Sequence, residues 1–460
     1  MVWLIKSKFL SFRKKSIVPF FLMGLIGLAI CLLSACGDDG SSDKVFNEFN
    51  TDSNERNLIV VISDLHLGAD LNYSETSKNL GPLENFLYQI RNSRNVKELV
   101  IAGDLLDEWF VPASVDTYNG KDQTDFVERI ASANAGVIDA FNQIIEDKNI
   151  LLTYTPGNHD LTITADNVDR ILPGINQARD GEEKAFGLGT YSPESHPGIA
   201  VEHGHRYNYF CAPDQFSNQD VAPGTLMPPG YFFTRIAAEH VVQECYESDN
   251  IVPPVTPNVS GEESQTLLYV YYKLWEKTLG ELLPIENSFD EKMIVTNVNG
   301  FTDTYSVNDL LPFQTDPGGF ISVNLYDGAQ DKWAERCELN NVPIPIPAIE
   351  AIGNAASTNQ TDKMAVSQYF ENPGSDKKLV VFGHTHEAKI LASENLDGEK
   401  TIYVNSGTWI DHKEAHANVT TMNFVIITPQ NAADASETKV TLYNFENEIV
   451  TEMDKDSLRL

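Results

Sequence analysis

Five short apolar runs in this 460-residue chain each end in residues that bind cations or move protons. LIVVIS (58–63) runs into Asp64-Leu65-His66, ELVIA (98–102) into Gly103-Asp104-Leu105-Leu106-Asp107, and LLTYTP (151–156) into Gly157-Asn158-His159-Asp160. IAVE (199–202) runs into His203-Gly204-His205, and LVVF (379–382) into Gly383-His384-Thr385-His386. One such stretch alone is most simply a satisfied polar turn. Together they gather carboxylates, an amide and imidazoles, more polar capacity than a protein core tolerates without ions. Carboxylate, amide and imidazole mixtures suit borderline divalent metals such as Mn, Fe or Zn rather than a thiolate site. The number of donors fits two divalent metal ions better than one.

These groups act together only if the fold gathers the ends of the runs. The runs are short and rich in β-branched residues, and they alternate with helix-length segments. One segment centres on Leu83, Phe86, Leu87 and Ile90, and a single long one runs from Val127 to Ile144. TIYVNSG (401–407) and NFVIITP (423–429) add further strands. The alternation predicts an α/β layered core, in which sites form at the carboxyl ends of the strands. Residues 207–376 break the rhythm with prolines, aromatics and the helix-like TRIAAEHVVQE and TLLYVYYKLWEKTLGELL. The segment is too long for a loop in a compact domain and reads as an inserted, mostly helical cap.

Lys and Arg number 33 against 66 Asp and Glu, for a net charge of −33. That balance argues against nucleic-acid scaffold binding, which needs a basic face. An anionic substrate must be drawn in locally, by metal ions or a few placed cations. At the N-terminus, Lys6, Lys8, Arg13, Lys14 and Lys15 precede the apolar stretch 17–33, which ends in Leu33-Ser34-Ala35-Cys36. This is the layout of a signal peptide, and LSAC resembles the lipobox of bacterial lipoproteins. The expectation is a removed signal over 1–35, a lipid anchor on Cys36 and a flexible tether over 36–56. An uncleaved signal anchor is the other reading. Either one takes the body out of the cytosol to the cell envelope, periplasmic or at the cell surface. Cys211, Cys245 and Cys337 allow one disulfide and one free thiol, with the pairing open.

In order and in strand context, DLH, GDLLD, GNHD, HGH and GHTH resemble the five motifs of the calcineurin-like metallophosphoesterases, over roughly residues 57–206 and 377–445. The resemblance implies an α/β fold, a two-sheet metallophosphoesterase sandwich flanked by helices. Its core is split into 57–206 and 377–460 around the cap 207–376. It further implies a dinuclear centre in which Asp64, His66 and His386 hold one metal, Asn158, His203 and His384 the other, and Asp104 bridges them. His159 is then the outer-sphere acid, steadied by Asp107. Two cations about 3.5 to 4 Å apart bind a phosphoryl oxygen and activate water for in-line attack. His159 follows a ligand and so points elsewhere, which suits it to protonate the leaving alkoxide. A carboxylate on its far nitrogen fixes the tautomer; a helix N-cap is the alternative role for Asp107.

Asp160 is expected as a helix N-cap, with a supporting partner of the site residues as the alternative. His205, Arg206 and Trp109 are candidate substrate contacts, with supporting, surface and packing roles as their respective alternatives; Lys413 is a further cation that would meet phosphate. Within the family, DLHLG, GDLLDEW, HGH and GHTH look closest to the branch of UDP-2,3-diacylglucosamine pyrophosphatases. The chain departs from that branch at His159, at His205, in its export signal and in its insertion. The expected activity is hydrolysis of a small phosphorylated substrate, a phosphomonoester or phosphodiester. A pyrophosphohydrolase of nucleotide-linked substrates, or a surface binding protein that keeps the scaffold without turnover, are the competing readings.

Overall fold

The computed structural model describes residues 46–51, 55–181, 187–244, 249–355, 357, 359–411, 420–430 and 436–460. The signal segment, Cys36, Cys245 and Lys413 lie outside the described residues. The first core segment runs β1 Leu58–Ile62, α1 Leu80–Arg91, β2 Val96–Ala102, α2 Gln123–Ala133, α3 Ala135–Asp147, β3 Leu151–Thr155, α4 Ala165–Ile171, β4 Asn176–Gln177, β5 Thr190–Tyr191 and β6 Ile199–Glu202. The insertion carries α5 Gly230–Gln243, α6 Glu263–Lys277, β7 Lys292–Val295, β8 Thr304–Ser306, β9 Phe313–Gln314, β10 Ile321–Ser322, α7 Trp333–Leu339, α8 Ala348–Asn354 and α9 Gln360–Ala365. The chain then completes the core with β11 Leu379–Phe382, β12 Lys389–Glu394, β13 Lys400–Asn405, β14 Asn423–Thr428, β15 Thr438–Glu446 and β16 Ile449–Leu458.

Two sheets stack face to face. One has the order β16-β15-β14-β1-β2-β3-β4 and the other β12-β13-β11-β6-β5. Strands β1, β2 and β3 are parallel neighbours in the first, and β6 and β11 in the second. All five motif-bearing strands therefore sit inside their sheets. Side chains alternate across a strand, so Ile59, Val61, Val100 and Ala102 meet Val201, Val381, Ile402 and Val404 between the sheets. Leu58, Val60, Ile62, Leu99 and Ile101 face the other way and join Leu83, Phe86, Val137 and Phe141 of the helices. Both faces are covered, which is why these strands read as unbroken apolar runs instead of alternating ones.

Several expectations need correction. The single helix over Val127–Ile144 is two, α2 and α3, broken at Asn134, whose side-chain amide bonds the carbonyls of Ile130 and Gly68. The tether is not free throughout. Phe49 is fully buried and packs on Phe86 and Phe424, while Phe46 packs on Phe445, so two aromatics in a polar stretch dock its end on the core. Among its described residues the insertion has five α-helices together with two small hairpins, β7/β8 and β9/β10, and proline-containing irregular stretches such as 342–347. Its aromatics, among them Phe210, Phe232, Tyr271 and Trp275, belong to the same continuous apolar cluster as α1–α3. Cys211 and Cys337 are buried free thiols, not bonded to one another.

Arg235 of α5 ties the insertion to the stretch after Asp107. Its guanidinium is fully buried and donates to the carbonyls of Val111 (2.7 Å), Pro112 (2.9 Å) and Val295 (3.0 Å) and to the Tyr231 hydroxyl (2.6 Å). Truncation leaves those carbonyls without donors, at a cost of roughly 1 to 3 kcal/mol for each one not rehydrated. Arg235→Ala should destabilise the protein by on the order of 3 kcal/mol, read as a lower melting temperature in scanning calorimetry.

Candidate metal centre

The motif residues sit where strands become turns, and the backbone there is unusual. Asp64 (φ 55°), His66 (47°), Asp104 (51°), His384 (72°) and His386 (59°) all occupy the left-handed region without being glycine. Such conformations cost on the order of 1 to 3 kcal/mol each and persist only where the surroundings fix them. Close approach also dictates the glycines. A Cβ on Gly157 would lie 2.1 Å from Asp104 Oδ1, and one on Gly383 would lie 2.4 Å from Asp64 Oδ2.

The seven side chains expected to hold metal converge in two overlapping groups. In the first, Asp64 Oδ1 lies 3.1 Å from His386 Nε2, and His66 Nε2 lies 3.3 Å from His386 Nε2 and 3.5 Å from Asp104 Oδ2. In the second, Asn158 Oδ1 is 2.8 Å from His384 Nδ1 and 3.1 Å from His203 Nε2, while His203 Nε2 is 3.0 Å from Asp104 Oδ2. The same Asp104 oxygen thus faces both groups. Most of this is removed from water: Asp64, His66, Asp104, Asn158, His203 and His386 are buried, and His384 is half-buried. His203 Nδ1 donates to the Ala102 carbonyl at 2.8 Å, which turns the Nε2 lone pair inward.

Burial alone would raise the carboxylate pKa values and lower those of the imidazoles. For Asp64 the surrounding imidazoles, His386 foremost, outweigh burial and hold it well below the usual carboxylate range; His203 does the same for Asp104. Conversely, burial is overcome at His203, where Asp104 and Asp64 push the pKa up to about 9, and at His66, where Glu75 and Asp107 raise it. His384 and His386 stay depressed by burial. The donor set is oxygen and imidazole nitrogen, anionic, dry and preoriented, and it fits divalent cations of the borderline class.

His159 stands beside the first group. Its Nδ1 is 2.9 Å from Asp107 Oδ1, and its backbone N–H donates to Asp104 Oδ1 at 2.8 Å. Asp107 is no helix cap. Its Oδ1 also accepts the N–H groups of Trp109 and Phe110, and its Oδ2 lies 2.9 Å from His66 Nδ1. One carboxylate therefore orients two imidazoles, a link the motif pattern did not disclose. Trp109 is fully buried and lies against the His159 ring (centroids 5.3 Å apart, 29° between planes), so it packs behind that imidazole rather than lining an open pocket.

Three further expectations change. Asp160 accepts backbone N–H bonds from Leu105, Leu106 and Gly157, bracing two motif loops, and the cap of α4 is Thr164 instead. Burial and the nearby Asp104 raise its pKa to about 6. Arg206 is buried and committed to Glu202 (2.7 Å) and Asp180 (2.9 Å), which leaves no free guanidinium face for a substrate phosphate. His205 is buried beside His203, with Nε2 on the Gly187 carbonyl at 3.0 Å. Two residues outside every motif also reach the centre. Glu75 Oε2 lies 3.2 Å from His66 Nδ1, and Asn208 Nδ2 lies 3.4 Å from His384 Nε2. Glu75 in a polar loop and Asn208 in the aromatic stretch Tyr207–Phe210 give no sequence signal for such a role.

The calcineurin-like phosphoesterase family profile matches residues 58–250, somewhat under half of the chain. The matched stretch contains Asp64, His66, Asp104, Asp107, Asn158, His159 and His203 and ends before His384 and His386, which the second sheet brings alongside. No curated protein matches the chain.

The raised pKa of His203 makes the metal-free protein sensitive to alkali. A group whose folded pKa lies near 9 against 6.5 unfolded stabilises fully below pH 6.5 and progressively less as pH rises through 9. Denaturant unfolding of chelator-treated protein should show stability falling between about pH 6.5 and 9, with a shallower fall in His203→Gln.

Proposed function

We propose that the chain is a metal-dependent phosphoester hydrolase, exported and held at the membrane through lipid on Cys36, that cleaves a phosphomonoester or phosphodiester. The observation that carries this reading is the meeting of five strand-end motifs in one centre, where His66 and His203 face the same Asp104 oxygen, with the His159–Asp107 pair at the edge. Asp64, His66 and His386 with Asp104 would hold one divalent ion, and Asn158, His203 and His384 with Asp104 the other. When bound, such ions supply Lewis acidity to a phosphoryl oxygen and acidify water.

The remaining work falls to the protein. His159 Nδ1 is bonded to Asp107, which fixes the tautomer and ring orientation and leaves Nε2 as the atom that would hand a proton to the leaving group. The backbone bond from His159 to Asp104 fixes the spacing between acid and ion-binding carboxylate. Trp109 sets the plane of the imidazole and keeps water off one side, so little more than an edge of His159 meets solvent. Proton transfer is then directed to the leaving-group oxygen.

With added Mn²⁺, the full chain should hydrolyse p-nitrophenyl phosphate or bis(p-nitrophenyl) phosphate and lose that activity to a chelator and in Asn158→Ala. His159→Gln should cost about 10²- to 10⁴-fold on an alkyl ester, whose leaving group needs a proton, and less on a nitrophenyl ester. Two bound ions with no turnover of either nitrophenyl compound would sink the enzyme reading and leave a binding protein on this scaffold.

A further inference from the structure

We propose that Glu75, which lies in the β1–α1 connection outside all five motifs, is a positioning residue for His66. It rests on the ion-binding reading above. His66 uses its two ring nitrogens for different tasks. Nε2 faces Asp64, Asp104 and His386, whereas Nδ1 points out of the centre toward two carboxylates, Asp107 Oδ2 at 2.9 Å and Glu75 Oε2 at 3.2 Å. The Nδ1 side thus has one hydrogen-bond partner, Asp107, and a second carboxylate, Glu75, at ion-pair distance. Asp107 is heavily used, since its other oxygen takes His159 Nδ1 and two backbone N–H groups.

Glu75 is held in place by the element that also holds Asp64. The Asp411 N–H donates to the Glu75 carbonyl at 2.9 Å, and Asp411 Oδ2 accepts the backbone N–H groups of Ser77 (2.6 Å), Lys78 and Asn79 (3.0 Å). Two residues earlier, the Trp409 N–H donates to the Asp64 carbonyl at 3.1 Å, and the Thr408 hydroxyl donates to the same oxygen. Segment 408–411 therefore registers Glu75 against Asp64, one residue that orients the His66 ring and one that shares its ion. The Glu75 side chain is only 14% exposed, so its charge is poorly screened by water. A carboxylate on the outer nitrogen of a ligating imidazole fixes the tautomer, orients the ring and raises its basicity, and its loss typically weakens metal binding by about 10- to 100-fold.

The test uses the full chain in the His384→Ala background, which leaves the His66 side as the principal ion site. Mn²⁺ is titrated calorimetrically into chelator-treated protein. Glu75→Leu should weaken binding by at least about 10-fold, Glu75→Gln should fall between, and Glu75→Asp should recover affinity to within a few-fold, because it restores the carboxylate. Far-UV circular dichroism of the metal-free variants should match the parent, which separates loss of an ion partner from loss of fold. If Glu75→Leu misfolds, Glu75→Gln carries the test alone. Parental Mn²⁺ affinity in whichever of these two variants folds overturns the assignment of Glu75. Absence of Mn²⁺ binding to the unmutated chain would instead overturn the ion-binding reading on which it rests.

Discussion

Two carboxylates, Asp64 and Asp104, lie in the dry interior with no Lys or Arg beside them among the described residues. Burying an anion costs several kcal/mol unless opposite charge and hydrogen bonds replace its water. Much of the neighbouring structure supplies that replacement. The His384 N–H donates to both Asp64 oxygens, the His159 N–H donates to Asp104, and His66, His203 and His386 crowd around the pair. Buried carboxylate oxygens ringed by imidazole nitrogens make a donor set that divalent cations would fit.

The same constraint explains the strained backbone. Side chains at the end of a strand would ordinarily alternate up and down. The left-handed residues at Asp64, His66, Asp104, His384 and His386 turn the chain so that ends from two different sheets aim at one point. The β-sandwich, packed on both faces, over-determines these turns. Asp107 then extends the network one shell outward, where it joins an ion-side imidazole, His66, to a proton-side imidazole, His159. The candidate ion ligand and the candidate acid thus share one carboxylate partner.

Much of this was legible in the sequence because buried parallel strands are short apolar runs and their ends carry the chemistry. β1, β2, β3, β6, β11, β13 and β14 were all read, within a residue or two. What escaped has identifiable causes. β15 and β16 form a hairpin whose outer strand is largely exposed and charged, with residues such as Glu452, Asp454 and Lys455, so no apolar run marks it. The break at Asn134 depends on a tertiary partner, Gly68, that no local pattern reveals. Arg206 looked available because a cation in an acidic chain suggests an anion, yet its partners Glu202 and Asp180 lie on the protein itself. Glu75 and Asn208 act through distance alone, from loops whose composition is ordinary.

The GHTH turn shows how a one-residue spacing serves two separate positions. His384 presents Nδ1 to Asn158 at 2.8 Å, while His386 presents Nε2 to Asp64 at 3.1 Å. The intervening Thr385 takes no part, because its hydroxyl is engaged by Asn405 Nδ2. Opposite ring nitrogens of two histidines, each on a left-handed residue, reach to either side of the centre from a single loop. A third partner keeps them apart: the His384 backbone N–H is bonded to the Asp64 carboxylate that His386 also faces. The loop can therefore neither collapse onto one group nor swing away from both, and the separation of the two candidate ion positions is set by the turn itself.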